Sequence, residues 1–131
     1  MLKKVIKHED FFGNERETTA YFHLSQEELL KLEMSFKGGL DAELERMSAS
    51  ENQKELLDLF SGLMGDSYGV IEDDGAGFDK SPEHFEKFKR TAAYQALFDE
   101  VMFSVENAVT FFRGIMPKAL RDKLDVAPVI K

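Results

Sequence analysis

The first 24 residues alternate like paired strands. Leu2-Lys3-Lys4-Val5-Ile6-Lys7 and Thr18-Thr19-Ala20-Tyr21-Phe22-His23-Leu24 are rich in β-branched and aromatic residues. Phe11-Phe12-Gly13-Asn14 lies between them, and Gly and Asn can supply the positive φ of a reversal. In the second strand Thr18, Ala20, Phe22 and Leu24 share a face. The first strand alternates less cleanly and leaves the register open.

At Ser25 the hydrophobic period lengthens to that of a helix. Ser25 and Glu28 form a capping box, Leu24 and Leu29 sit at staple positions, and Leu29, Leu32 and Phe36 line one side. Leu30 and Met34 widen that stripe, and Gly38-Gly39 ends it. A short helix over 40–47 offers Leu40, Leu44 and Met47 to the core. Ser48-Ala49-Ser50 then breaks the pattern, with Ser50 as the next cap. From Glu51 to Ser67, Leu56, Leu57, Phe60, Leu63 and Met64 repeat at helical spacing. Gly62 and Gly65 weaken this helix, or mark the close approach of another element.

The stretch 69–80 reads as an acidic glycine loop, in which Val70-Ile71 and Gly77-Phe78 can pair as a small hairpin around Asp74-Gly75. Ser81-Pro82 gives a cap followed by proline at the first helical position, with Phe85 and Phe88 facing inward. Residues 91–103 are densely apolar. Ser104 caps a last helix carrying Ala108, Val109, Phe111, Phe112 and Ile115, closed by Gly114 and Pro117. The expected architecture is α+β and mainly helical: a single domain over 1–117, with a hairpin at 2–24 and five or six helices over 25–117. Residues 118–131 form a loosely ordered tail.

The chain has 131 residues, 43% of them hydrophobic, enough for one core. Acidic residues outnumber basic ones 25 to 17, for a net charge of −8, with no basic stripe. That argues against phosphate-driven nucleic-acid binding, and Lys87, Lys89 and Arg90 read as a solvated helix face. There is no cysteine, so disulfides and thiolate chemistry are excluded. No apolar run reaches the ~20 residues of a membrane span, and Met1–Lys7 does not read as a signal peptide.

Catalytic patterns fare poorly. Gly65-Asp66-Ser67-Tyr68-Gly69 matches the G-x-S-x-G nucleophile elbow, but a helical pattern leads in where a strand is required. Counted from Glu72, the acidic loop has the Gly77 and Glu83 of an EF-hand, yet Ala76 stands where a ligand belongs. His8, His23 and His84 lack metal-ligand spacing, and His23 and His84 read as surface residues. No metal, cofactor or catalytic residue is expected. The adjacent pairs Phe11-Phe12, Met102-Phe103 and Phe111-Phe112 are more telling, because one helix face cannot bury both members. Either helices are covered on two sides or rings face a partner. Methionines such as Met34, Met47, Met64, Met102 and Met116 would make such a surface adaptable.

Read in order, these segments resemble a known family over about the first 118 residues. They are Phe12-Gly13-Asn14, then Tyr21-Phe22-His23-Leu24-Ser25 leading into Glu28-Leu29-Leu30-Lys31-Leu32-Glu33, then Gly38-Gly39-Leu40. Tyr68-Gly69, Phe78-Asp79-Lys80-Ser81, Thr91-Ala92-Ala93-Tyr94-Gln95-Ala96-Leu97-Phe98 and Phe111-Phe112-Arg113-Gly114-Ile115-Met116-Pro117 follow. The chain resembles the tail assembly chaperones of long-tailed, non-contractile (siphovirus-type) bacteriophages and prophages. The resemblance implies a non-enzymatic factor of the host cytoplasm, absent from the finished virion. It would bind and solubilise the tape-measure protein and help recruit tail-tube subunits. A longer frameshifted form of the chain is a further partner it implies, and, independently of the resemblance, the hairpin's edge strand could pair with another copy to give a homo-oligomer. Alternatives are a structural component of the tail or head–tail joint, and a small hydrolase or calcium-binding domain. The family carries no functional residues over, so the expected partner face is physical: Tyr94, Phe98, Met102, Phe111 and Phe112.

Overall fold

The computed structural model describes residues 1–49 and 53–115. Strands β1 (Leu2–Glu9) and β2 (Glu15–Phe22) pair antiparallel over their whole length, from Leu2 opposite Phe22 to Glu9 opposite Glu15. The inner face therefore carries Leu2, Lys4, Ile6 and His8 against Thr18, Ala20 and Phe22. Alternation along β1 is obscured because two inward positions are polar. Lys4 reaches Glu100 at 2.9 Å, and the His8 ring meets the Thr18 hydroxyl at 2.8 Å. The turn is tighter and the second strand longer than the pattern indicates. The Asp10 carboxylate accepts from the Phe12 and Asn14 amides, and Gly13 takes φ +86°. Strand pairing consequently starts at Glu15 rather than Thr18.

Three helices follow: α1 (Gln26–Ser35), α2 (Gly39–Ala49) and α3 (Gln53–Ser67). The chain then returns to the sheet, a step with no counterpart in the expected architecture. Strand β3 (Tyr68–Ile71) lies against β2, with Tyr68 opposite Phe22, and β4 (Phe78–Asp79) pairs with β3. The N-terminal hairpin is thus half of a four-stranded antiparallel sheet in the order β1-β2-β3-β4. The small acidic hairpin exists, but as the continuation of that sheet rather than as a free loop. Helices α4 (Pro82–Lys89), α5 (Ala92–Val101) and α6 (Val105–Ile115) complete the fold, six helices among the described residues.

Phe22 stands at the centre of the core. Its ring meets Tyr68 and Phe111 edge-on at 5.6 and 5.1 Å, and Tyr68 stacks on Phe88 at 4.5 Å. Phe60, Leu63 and Met64 of α3, Leu97 and Val101 of α5, and Phe112 and Ile115 of α6 close around it. Not every expected core residue joins them. Leu30, Met34 and Leu57 are exposed. Leu30 follows Leu29 by one residue, so it is turned about 100° from the buried face, and Met34 lies one turn beyond Leu30. The expectations for Leu44, Met47 and Leu56 in the core, for Ser50 as a cap, for Met116 and Pro117, and for the tail lie outside the described side chains and residues.

Candidate functional site

The three adjacent pairs resolve in three ways. Phe11 and Phe12 are 72% and 91% exposed at the hairpin tip. Met102 is partly covered while Phe103, in the corner between α5 and α6, is 83% exposed. Phe111 and Phe112 are only 8% and 1% exposed, because α6 is covered on two sides. They belong to the core, which removes them from the expected partner face. The other three, Tyr94 and Phe98 of α5 and Met102 at its C-cap, fall at helical spacing on a stripe turned about 100° from the buried Ala93, Leu97 and Val101. Tyr94 is half-buried, 5.8 and 5.6 Å from the rings of Phe85 and Phe88, and 6.0 Å from Phe98. Burial raises the pKa of its phenol. The α5 face is therefore a partly covered aromatic ledge, while the most open apolar surface sits at the hairpin tip.

A second feature is a cleft of about 780 Å³ between α1, α3 and α4, with Leu24, Leu32, Leu63 and Phe85 among its walls. Gly65 is needed there, since a Cβ would come 3.0 Å from the Phe85 ring. Gly62 is not: a Cβ there meets nothing within 4 Å.

Beside the cleft, distant segments are tied at one joint. In the capping box of α1, the Glu28 amide donates to the Ser25 hydroxyl at 3.1 Å, and the Ser25 amide donates to Glu28 Oε1 at 3.0 Å. The other Glu28 oxygen takes Lys80 Nζ at 2.5 Å, and the same ammonium donates to the His23 carbonyl at 3.1 Å. Partial burial opposes ionisation of Glu28, but the bonds from Lys80 and Ser25 outweigh it and lower its pKa. His23 keeps its expected place on the outer side of the sheet, its amide donating to the Ser67 carbonyl at 2.8 Å. It is not a surface residue, however. Its ring lies 6.0 Å edge-on from Phe78, and its Nδ1 is buried without a hydrogen bond among the described residues. Desolvation first, then the charges of the N-terminus and Lys80, lower its pKa despite Glu28 nearby.

The catalytic patterns dissolve into local structure. Ser67 is buried, and its hydroxyl donates back to the Leu63 carbonyl at 2.7 Å. A helix leads into it and β3 leads out, the reverse of a nucleophile elbow. Asp74 accepts from the Ala76 amide. Asp79 accepts from the Ser81 hydroxyl and amide and lies 3.0 Å from His84 Nε2; the Ser81 bonds first, and His84 after them, hold its carboxyl down to about 2. Ser81 accordingly starts α4 without capping it, and His84 is a partner of Asp79 rather than a free surface residue. Among the described residues no three His, Asp or Glu side chains converge as a metal site, and no helix is long and apolar enough to cross a membrane.

The joint gathers Tyr21–Ser25, Glu28, Tyr68-Gly69 and Phe78–Ser81, four of the segments on which the sequence resemblance rests. Comparison with known proteins agrees with that pattern. A family model described as phage tail assembly chaperone matches residues 1–128, beyond the roughly 118 residues that carry the sequence resemblance. No curated protein and no solved structure matches the chain. With nearly its whole length matched, the chain belongs to the phage tail assembly chaperone family.

Proposed function

We propose that this chain binds the tape-measure protein of a long, non-contractile tail, keeps it soluble until the tube assembles around it, and helps recruit tail-tube subunits. It acts without catalysis in the host cytoplasm and is absent from the mature virion. The observation that carries this reading is the pairing of open apolar side chains (Phe11, Phe12, Phe103 and Met34) with a net charge of −8. A long apolar helical protein waiting for its tube is prone to aggregate. A bound coat that covers apolar surface and adds negative charge both masks it and keeps coated complexes apart. Tyr94 and Phe98 of α5, with Met102 at its C-cap, offer one contact face for it.

The test is co-expression with the long helical protein encoded beside this gene, comparing its soluble fraction with and without this chain. Solubilisation with co-purification supports the chaperone role. An insoluble tape measure beside well-folded chaperone would refute it, and finding the chain in purified particles would assign it to the tail structure instead.

A further inference from the structure

We infer that the β1–β2 hairpin tip is a preformed anchor for an apolar partner segment flanked by lysine or arginine. For its biological partner the inference rests on the chaperone reading above.

Three observations converge on it. The first is exposure without a folding role: Phe11 and Phe12 are the most open phenylalanines of the hairpin, in a turn whose geometry needs neither ring. The second is rigidity. The turn is closed by the Asp10 amide donating to the Asn14 carbonyl at 2.8 Å, by the Asp10 carboxylate on two amides, and by Arg16 Nε on the same carboxylate at 2.9 Å. A turn held this way loses little freedom when its rings are buried, which is how aromatic anchors gain affinity.

The third observation is the charge behind the rings. Glu9 and Glu15 stand directly opposite one another on the outer face, and Glu17 lies one pair deeper opposite Lys7. Like charges in register destabilise a strand pair. None of the three carboxylates forms an ion pair among the described residues, whereas Asp10 and Arg16 satisfy each other. A hollow of about 570 Å³ runs between Lys7–Glu9 and Glu15–Glu17. An occupant that buries the phenyl rings and sets a cation between Glu9 and Glu15 would relieve this repulsion. Charge complementarity thus selects a basic-flanked apolar segment over an acidic-flanked one.

The probes are two synthetic peptides with one leucine-rich apolar core, flanked by lysines in one and by glutamates in the other. The lysine-flanked peptide should bind the wild-type chain more tightly, with affinity falling as salt is raised. F11A/F12A should weaken it at least about tenfold with an unchanged melting temperature. E9Q/E15Q, which keeps both rings, should weaken the same peptide while raising the melting temperature. That opposition of signs is not expected of a purely structural pair. Equal binding of both peptides, or unaltered binding by F11A/F12A, would overturn the inference. Loss of self-association in F11A/F12A with unaltered peptide binding would assign the tip to a second copy and overturn it too. Co-expression separates the two claims. If wild type and F11A/F12A solubilise the tape-measure protein equally, the tip inference fails alone. If wild type does not solubilise it, the chaperone reading fails and the peptides still decide the tip.

Discussion

Ser25, Glu28, His23 and Lys80 show how much a few side chains hold together. Ser25→Ala leaves an α1 amide without its cap and should cost about 1 kcal/mol, read from urea denaturation. Glu28→Ala should cost more, because it also removes the ion pair by which Lys80 ties β4's exit to α1. The capping box was legible in the sequence since both partners lie within four residues. The environment of His23 was not, because Phe78 and Lys80, which shape it, are more than fifty residues away. That environment has a pH consequence. The pKa of His23 is lower in the folded chain than in the unfolded one, so the unfolded state binds more protons as pH falls below about 6.5. The stability tied to a neutral His23 is present above that pH and is lost on acidification. His23→Phe, which keeps an edge-on ring against Phe78 and removes the unpartnered nitrogen, should raise stability at pH 7 by about 1 kcal/mol. It should also lose less stability than the wild type between pH 7 and 5 in parallel thermal melts. Equal slopes would show that His23 does not carry the dependence.

At the scale of elements, two glycines test the packing with opposite signs. Gly62 lies mid-helix in α3, facing open space, so Gly62→Ala should stabilise the chain by up to about 1 kcal/mol. Gly69 lies in β3, where a Cβ would come 2.5 Å from the Phe78 ring and 2.8 Å from the Asp79 carbonyl. Gly69→Ala should destabilise by about 1–3 kcal/mol, since the carbonyl belongs to a paired strand and cannot step aside. Denaturant midpoints moving in the same direction would contradict this account. The contrast also marks what a sequence pattern can and cannot carry. Helix identity, the reversal at Gly13 and the closure at Gly38-Gly39 were all legible, because each is set by neighbours along the chain. That β3 joins β2 was not, because three helices intervene and four residues of strand leave almost no periodicity. The partner face suffered for a similar reason. Phe111-Phe112 reads like Phe11-Phe12 until tertiary packing covers α6 on two sides and leaves the hairpin tip bare.

For the whole molecule, charge and apolar exposure work against each other. A net charge of −8 holds copies apart at neutral pH while Phe11, Phe12 and Phe103 stand open to water. The repulsion is long-ranged only at low salt, since the Debye length is about 10 Å at 0.1 M. It disappears near the isoelectric point of about 4.9. Asp79, held to about 2, stays ionised there, so the loss of charge does not come from opening the β4–α4 turn. The folded chain should therefore scatter light most strongly around pH 5, and a triple variant with Phe11, Phe12 and Phe103 replaced by serine should scatter several-fold less. At pH 7 the two should differ little in low salt and diverge as salt is added. If the triple variant scatters as strongly as the wild type at pH 5, self-attraction comes from elsewhere, and the open rings do not set the balance between solubility and binding. If it stays clear, the surface suited to grip an apolar client is the same surface that acidic charge keeps from gripping other copies.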